Sequence, residues 1–230
     1  MDKEYRQKSA TGNGGTQRGN RRFDLEREEM IALLRKRGIR DERLLQAMSN
    51  IDRSEFVGEL FVNRAYEDSA LPIGQQQTIS QPFTVAYMTA CLGVNEGDKI
   101  LEIGTGSGYQ AAVLAAMGAR VFTIERHMEL LNEARQRIEN AGYHAASKCG
   151  DGTIGWREYA PFDGIIVTAG GPEVPRPLLD QLKDGGCLVI PIGEMDVQSL
   201  HIIQRLGDRF ETTVSEGFKF VPLIGIKGWK

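Results

Sequence analysis

A chain of 230 residues with 41% hydrophobic and 26% charged side chains has enough apolar surface for one sizeable core and a composition near the globular average. Its formal net charge of −3 lacks the basic excess that a dedicated nucleic-acid binder needs, and no apolar run is long enough to span a bilayer or act as a secretory segment. Cys91, Cys149 and Cys187 are odd in number and far apart, which fits a reducing, cytoplasmic setting better than a disulfide framework or a zinc site.

In chain order, Met1 to Arg22 are rich in Gly, Thr, Gln, Lys and Arg and nearly free of apolar side chains. Such a stretch cannot offset the entropy of ordering and reads as a disordered tail. From Phe23 to Arg37, Leu25, Met30, Ile31, Leu33 and Leu34 fall close to a helical stripe that Gly38 ends. Asp41 is an N-cap candidate for a second helix carrying Leu44, Leu45 and Met48 on one face. Ser54 with Phe56, Val57, Leu60 and Phe61 predicts a third, completing an amino-terminal helical layer.

After Pro72 short apolar runs alternate with helical stretches, the pattern of an α/β fold with a doubly wound, mostly parallel sheet. Strands are expected at Lys99 to Ile103, Arg120 to Glu125, Ala146 to Cys149, Gly164 to Val167 and Cys187 to Ile192. Helices are expected at Pro82 to Leu92, Tyr109 to Met117, His127 to Asn140 and Val174 to Leu182, with Gly142 a C-terminal stop. Leu200 to Arg205 and Phe210 to Val214 flank Gly207-Asp208 and predict an antiparallel hairpin at the sheet edge.

The richest segment is Ile100 to Tyr109, where a buried strand runs into Gly104-Thr105-Gly106-Ser107-Gly108 and then a helix. Glycines there permit positive φ and a close ligand approach at the carboxyl edge of the first strand. Glu125, with Arg126 beside it, closes the next strand at the position where a carboxylate accepts hydrogen bonds from ribose hydroxyls. Asp151-Gly152 follows the third strand. Each alone also reads as an ordinary turn or a solvated acid; together they outline a nucleoside pocket.

A dinucleotide turn is typically G-x-G-x-x-G, whereas this one is G-x-G-x-G preceded by Glu102. That pattern resembles the first motif of class I S-adenosylmethionine-dependent methyltransferases. Their cofactor carries an amino group and a sulfonium but no phosphate, so a nearby carboxylate helps. Tyr66-Glu67-Asp68 and Leu71 through Pro82, with Arg53 to Val57 upstream and Gly150-Asp151-Gly152, Phe162 to Ala169, Gln181-Leu182, Gly185-Gly186 and Phe220 to Leu223 downstream, resemble protein-L-isoaspartate O-methyltransferases. These enzymes methylate the free α-carboxylate of isoaspartyl residues in damaged proteins and peptides.

The resemblance covers the chain from about Phe23 onward. It implies a Rossmann-like seven-stranded sheet in a single domain, residues 23–230, with 23–82 on the substrate side and 83–230 holding the cofactor. It implies Ser80 as the catalytic residue. Gln77, Thr78, Ile79, Ser80, Glu102, Gly104 to Gly108, Glu125, Arg126, Asp151 and Gly152 would hold S-adenosyl-L-methionine and its product S-adenosyl-L-homocysteine. Thr78, Ser80, Phe220, Val221 and Pro222 would meet an extended isoaspartyl peptide, in part through backbone pairing. A monomer without nucleic-acid or membrane partners is the family expectation. Gln76 departs from the glycine that many relatives carry before the Gln-Thr-Ile-Ser run.

The residues suit that chemistry, because an α-carboxylate is already ionised at neutral pH and needs alignment more than a base. Ser80 before Pro82 also reads as a helix cap, where free N–H groups favour an anion. His127, His144 and His201 stand in no recognisable motif and read as surface or packing residues. The glycine turn lacks the spacing of a G-x-S-x-G nucleophile elbow. An NAD(P)-dependent oxidoreductase and a non-catalytic methyltransferase-like binding module are the competing readings.

Overall fold

Residues 14–230 are described by a computed structural model. Helix α1 (Gly14–Lys36) begins well upstream of Phe23, so the tail expected through Arg22 is helical from Gly14, and residues 1–13 lie outside the described residues. Helix propagation is cooperative: once the apolar stripe at Met30, Ile31 and Leu34 nucleates it, each added residue gains a backbone bond without needing an apolar side chain. Gly38, at φ 99°, makes the stop.

Helix α2 (Glu42–Asn50) starts as expected at Asp41, whose carboxylate accepts from Arg43 N at 2.9 Å and Leu44 N at 3.2 Å. The expected third helix is instead two 3-10 turns, Arg53–Phe56 and Glu59–Arg64, because Val57 and Gly58 are extended between them. Leu60, counted in that helix, is exposed. A hairpin of β1 (Leu71–Gly74) and β2 (Gln77–Ile79), absent from the sequence reading, follows. Its two turn residues, Gln75 and Gln76, both have positive φ, 49° and 57°. That is the type I′ geometry that glycine and asparagine favour, which explains why a glycine at position 76 suits the loop better than glutamine.

The α/β layers are α3 (Pro82–Leu92), β3 (Lys99–Ile103), α4 (Tyr109–Ala116), β4 (Arg120–Glu125), α5 (Met128–Asn140), β5 (Ala145–Cys149), β6 (Phe162–Val167), α6 (Arg176–Asp180), β7 (Leu182–Gly193), β8 (Gln198–Leu206) and β9 (Arg209–Phe218). The seven-stranded sheet runs β5-β4-β3-β6-β7-β8-β9, parallel through β7 and antiparallel beyond. This is the expected Rossmann-like sheet with its carboxyl-terminal hairpin, and Leu206 faces Arg209 across Gly207-Asp208. Helix α6 is shorter than Val174 to Leu182. Pro175 delays its start, and Leu182 leaves it to pair with Phe162, lengthening β7 upstream of Cys187.

Strands buried on both faces read as unbroken apolar runs. Ile100, Val121, Ile166 and Val189 join one core with α1 to α4, while Leu101, Ile103, Ile165, Val167, Leu188 and Ile190 join a second on the other face. The first core makes the amino-terminal layer continuous with the sheet. Among the described residues no helix is long and apolar enough to cross a membrane.

Candidate active site

Strand β3 has β4 on one side and β6 on the other, so successive crossovers leave in opposite directions at its carboxyl end and open a crevice there. A cavity of about 840 Å³, part of it open to solvent, occupies this switch point. Four elements bring the predicted residues to its wall. The hairpin strand β2 and its exit supply Gln77, Thr78, Ile79 and Ser80, and the turn after β3 supplies Gly104, Thr105, Gly106 and Ser107. The end of β4 supplies Glu125 and Arg126, and Gly152 closes the side beyond β5.

Within the turn, Gly104 has φ 95°, and a Cβ there would stand 2.4 Å from Thr168 Oγ1. Thr168 uses that hydroxyl to donate to the carbonyls of Gly104 and Ile103, at 2.7 and 3.0 Å. Gly108, expected at the cofactor, lies below the turn as the N-cap of α4 with φ 90°, and a Cβ there would meet Ile138 at 3.0 Å. Its contribution is the close seat of α4 on α5. The β1–β2 hairpin arches over the turn: Ile73 packs against Gly106, and Gln75 Nε2 donates to Glu129 on α5 at 2.5 Å.

The two acids divide differently from the sequence reading. Buried Glu125 accepts from Gly106 N at 2.9 Å and His127 N at 3.0 Å. A carboxylate has about four acceptor positions, so two remain on the cavity side for vicinal hydroxyls. Glu102, expected beside the cofactor, is fully buried beneath the turn, because alternate residues of β3 face opposite sides of the sheet. Thr123 Oγ1 donates to its Oε2 at 2.5 Å and lies 2.6 Å from Thr105 Oγ1. Its Oε1 has no partner among the described residues. Burial, assisted by the neighbouring Glu125, pushes the Glu102 carboxyl up to about 8 despite the bond from Thr123. At neutral pH it is mostly a neutral acid, and Glu125 is the carboxylate that faces the cavity.

Asp151 also stands back from the wall. Its Oδ1 accepts from Thr153 N and Oγ1 at 2.8 and 2.6 Å, and its Oδ2 from Ile226 N at 2.8 Å. Burial opposes its ionisation, but the bonds from Ile226 and Thr153 outweigh it and hold the carboxyl below the usual range. Its side chain ties the carboxyl-terminal segment to the exit of β5, at the edge of an adjoining pocket that Arg126 shares.

A second cavity, of about 1230 Å³, meets the first along Thr78, Ser80, Thr168 and Val221. The Ser80 hydroxyl, at this junction, makes no hydrogen bond to a described residue. Its expected capping role falls to Asp68, whose Oδ1 accepts from Phe83 N in the first turn of α3 at 2.9 Å, while Gln81 is the N-cap without a side-chain bond. Behind Ser80 lies Arg53, wholly buried, donating from Nη2 to the Ser80 carbonyl at 2.7 Å and from Nε to the Ala65 carbonyl at 2.8 Å. Its guanidinium carbon stands 4.6 Å from the centre of the Tyr109 ring. Burial lowers its pKa from the ordinary arginine value, yet a guanidinium remains charged at neutral pH.

Val221 and Pro222 line the first cavity, and Phe220 with Val221 the second. The backbone pairing expected for this edge is partly taken up within the chain. Val221 O accepts from Gly170 N at 2.8 Å, Gly170 O accepts from Leu223 N at 2.8 Å, and Phe220 N donates to Gln198 Oε1 at 2.8 Å. Thr168 and Ala169, at the exit of β6, and Leu223 are among the further wall residues not singled out as site residues in the sequence. The signal available was their position at the carboxyl end of a strand beside the switch point. None of the three histidines lines either cavity.

Arg126 is the one Lys or Arg among the described residues in the first cavity. A carboxylate, backbone amides and apolar walls suit a nucleoside bearing a cation and fit a pyrophosphate poorly.

Comparison with known proteins agrees. The family model described as protein-L-isoaspartate(D-aspartate) O-methyltransferase matches residues 25–228. A protein-L-isoaspartate O-methyltransferase of Salinibacter ruber is 51% identical over 89% of this chain and 94% of its own, and one of Chlorobium limicola is 50% identical over 91% and 98%. A solved Plasmodium falciparum protein of that name, in complex with S-adenosyl-L-homocysteine, superposes with a TM-score of 0.75 at 25% identity, over 85% of this chain and 97% of its own.

Proposed function

The chain belongs to the protein-L-isoaspartate(D-aspartate) O-methyltransferase family, and on that premise we propose how its own residues divide the work. The reaction is transfer of a methyl group from S-adenosyl-L-methionine to the free α-carboxylate of L-isoaspartyl residues in proteins and peptides. The cofactor, when bound, supplies an electrophilic methyl group on a sulfonium. Glu125, Arg126, Gly152 and the turn from Gly104 to Ser107 hold it. Glu102 and Gly108 support that turn from below, and Asp151 holds the carboxyl-terminal segment against the exit of β5 beside it. Gln77, Thr78 and Ile79 form the partition towards the acceptor.

Ser80 orients the acceptor carboxylate from the junction of the two cavities, and that junction is the observation that carries the assignment. Anion and sulfonium both vanish during transfer, so fixed charges at the reacting atoms would stabilise the ground state more than the transition state. A neutral hydroxyl with no competing partner among the described residues positions the carboxylate without that penalty. Thr78, Thr168 and Val221 wall the junction, and Arg53 fixes the Ser80 backbone. No general base is needed, since the acceptor is already ionised.

Residues 23–230 act as one catalytic domain, a unity supported by the core that 23–82, on the acceptor side, shares with 83–230, around the cofactor. A cytoplasmic setting without a nucleic-acid partner is supported by the unpaired cysteines and the formal charge of −3, and action as a monomer without a membrane partner is the family expectation. The test is transfer of labelled methyl to an isoaspartyl peptide and to its aspartyl twin. We expect base-labile ester on the isoaspartyl peptide only, and a loss of about tenfold to a hundredfold in kcat/KM for Ser80→Ala, equivalent to one or two positioning hydrogen bonds. Full activity in that variant would remove Ser80 from the mechanism.

A further inference from the structure

The outer cavity contains a row of four aromatic rings that methyl transfer itself does not require. Phe83 and Tyr87 are four apart on α3 and share a helix face; Phe218, at the end of β9, and Phe220 are two apart and share a side of extended chain. The two pairs meet, with centroid spacings of 5.7 Å from Phe83 to Tyr87, 5.7 Å from Tyr87 to Phe218 and 6.2 Å from Phe218 to Phe220. All four line the cavity, and the first three are half-exposed. Tyr87 is fixed by a hydrogen bond to Ser215 Oγ at 3.2 Å. The Arg37 guanidinium, paired with Asp68, covers the far end 3.4 Å above the Phe83 ring.

Partly buried rings in an unbroken row along one cavity wall offer an apolar face that a ligand side chain can pack on. The row is continuous with the acceptor site, since Phe220 adjoins Val221 of the junction and Phe83 lies in the first turn of the helix that follows Ser80. An extended chain advances about 3.3 Å per residue, so a polypeptide anchored at Ser80 brings side chains up to a few positions away over these rings. Resting on the repair reading above, we propose that this shelf is a specificity subsite for an aromatic or large aliphatic side chain flanking the isoaspartyl residue of the acceptor.

The test uses isoaspartyl peptides with glycine at every flanking position, or with one phenylalanine moved through the three positions on each side. Wild type should prefer phenylalanine at one position by about tenfold in KM, corresponding to about 1.4 kcal/mol and in keeping with one aromatic contact. Phe83→Ala and Phe218→Ala, at half-exposed positions, should each bring the ratio of the two peptides towards one. Absence of any positional preference in wild type, or its full retention in both variants, overturns the subsite while leaving the activity standing. Failure to methylate any isoaspartyl peptide strikes the repair reading itself.

Discussion

Replacing Glu102 with glutamine removes one titration from the core with almost no change of shape. The wild-type carboxyl is wholly buried, bonded by Thr123 and pushed from the ordinary 4.5 up to about 8. A carboxyl whose pKa is raised on folding contributes stability that is fully present below its unfolded pKa and is lost as pH rises through its folded one. With about 1.4 kcal/mol for each unit of pKa, the stability of wild type relative to Glu102→Gln should fall by roughly 4 kcal/mol from pH 5 to pH 9, most of it before the folded value is passed. Urea unfolding of both proteins across that range measures the difference directly. Taking the difference cancels groups that titrate alike in both. Curves that stay parallel would falsify the neutral-acid account of Glu102 and restore an ionised carboxylate beneath the turn.

Gln76→Gly should stabilise the protein by up to about 1 kcal/mol, since glycine relieves a left-handed φ at modest entropic cost, and calorimetry should show a melting temperature about 2 °C higher; an unchanged or lower value contradicts the strained-turn reading. Gly108→Ala combines a positive φ with a Cβ 3.0 Å from Ile138 and should cost about 3 kcal/mol, read by urea unfolding; a near-neutral result would mean that α4 can slide on α5. Arg53→Lys leaves one ammonium to serve the carbonyls of Ala65 and Ser80, and we expect a loss of about 2 kcal/mol in stability. The same variant should lower kcat more than KM. A pure KM effect would show that Arg53 does not act through Ser80.

Most assignments from Pro82 onward were legible because β3, β4, β6 and the body of β7 are buried apolar runs, α5 carries an apolar stripe, and α3 and α4 are apolar stretches opened by Pro82 and by the glycine turn. The glycine turn and Glu125 were legible for a related reason: the chemistry of a strand-to-helix ligand turn is written in consecutive residues. Ser80 was found by resemblance, and nothing in its local pattern separated a substrate-facing hydroxyl from a helix cap. The β1–β2 hairpin escaped notice because its strands are four and three residues long, too short for alternation to register.

What the chain order itself determined is the succession of elements, the place of the cofactor turn at the carboxyl edge of β3, and the acid at the end of β4. These follow from periodicity and turn chemistry, which act over a few residues. Tertiary structure alone decided the neighbours. It laid β6 beside β3 and so put Thr168 against Gly104, brought Asp68 to the start of α3 and thereby freed Ser80 from capping, seated Arg53 behind the Ser80 carbonyl, and turned Glu102 into the core where burial keeps it protonated. Local pattern specifies which face a side chain takes; which partner waits on that face depends on sheet order and helix docking, and those are settled by contacts between residues far apart in the chain.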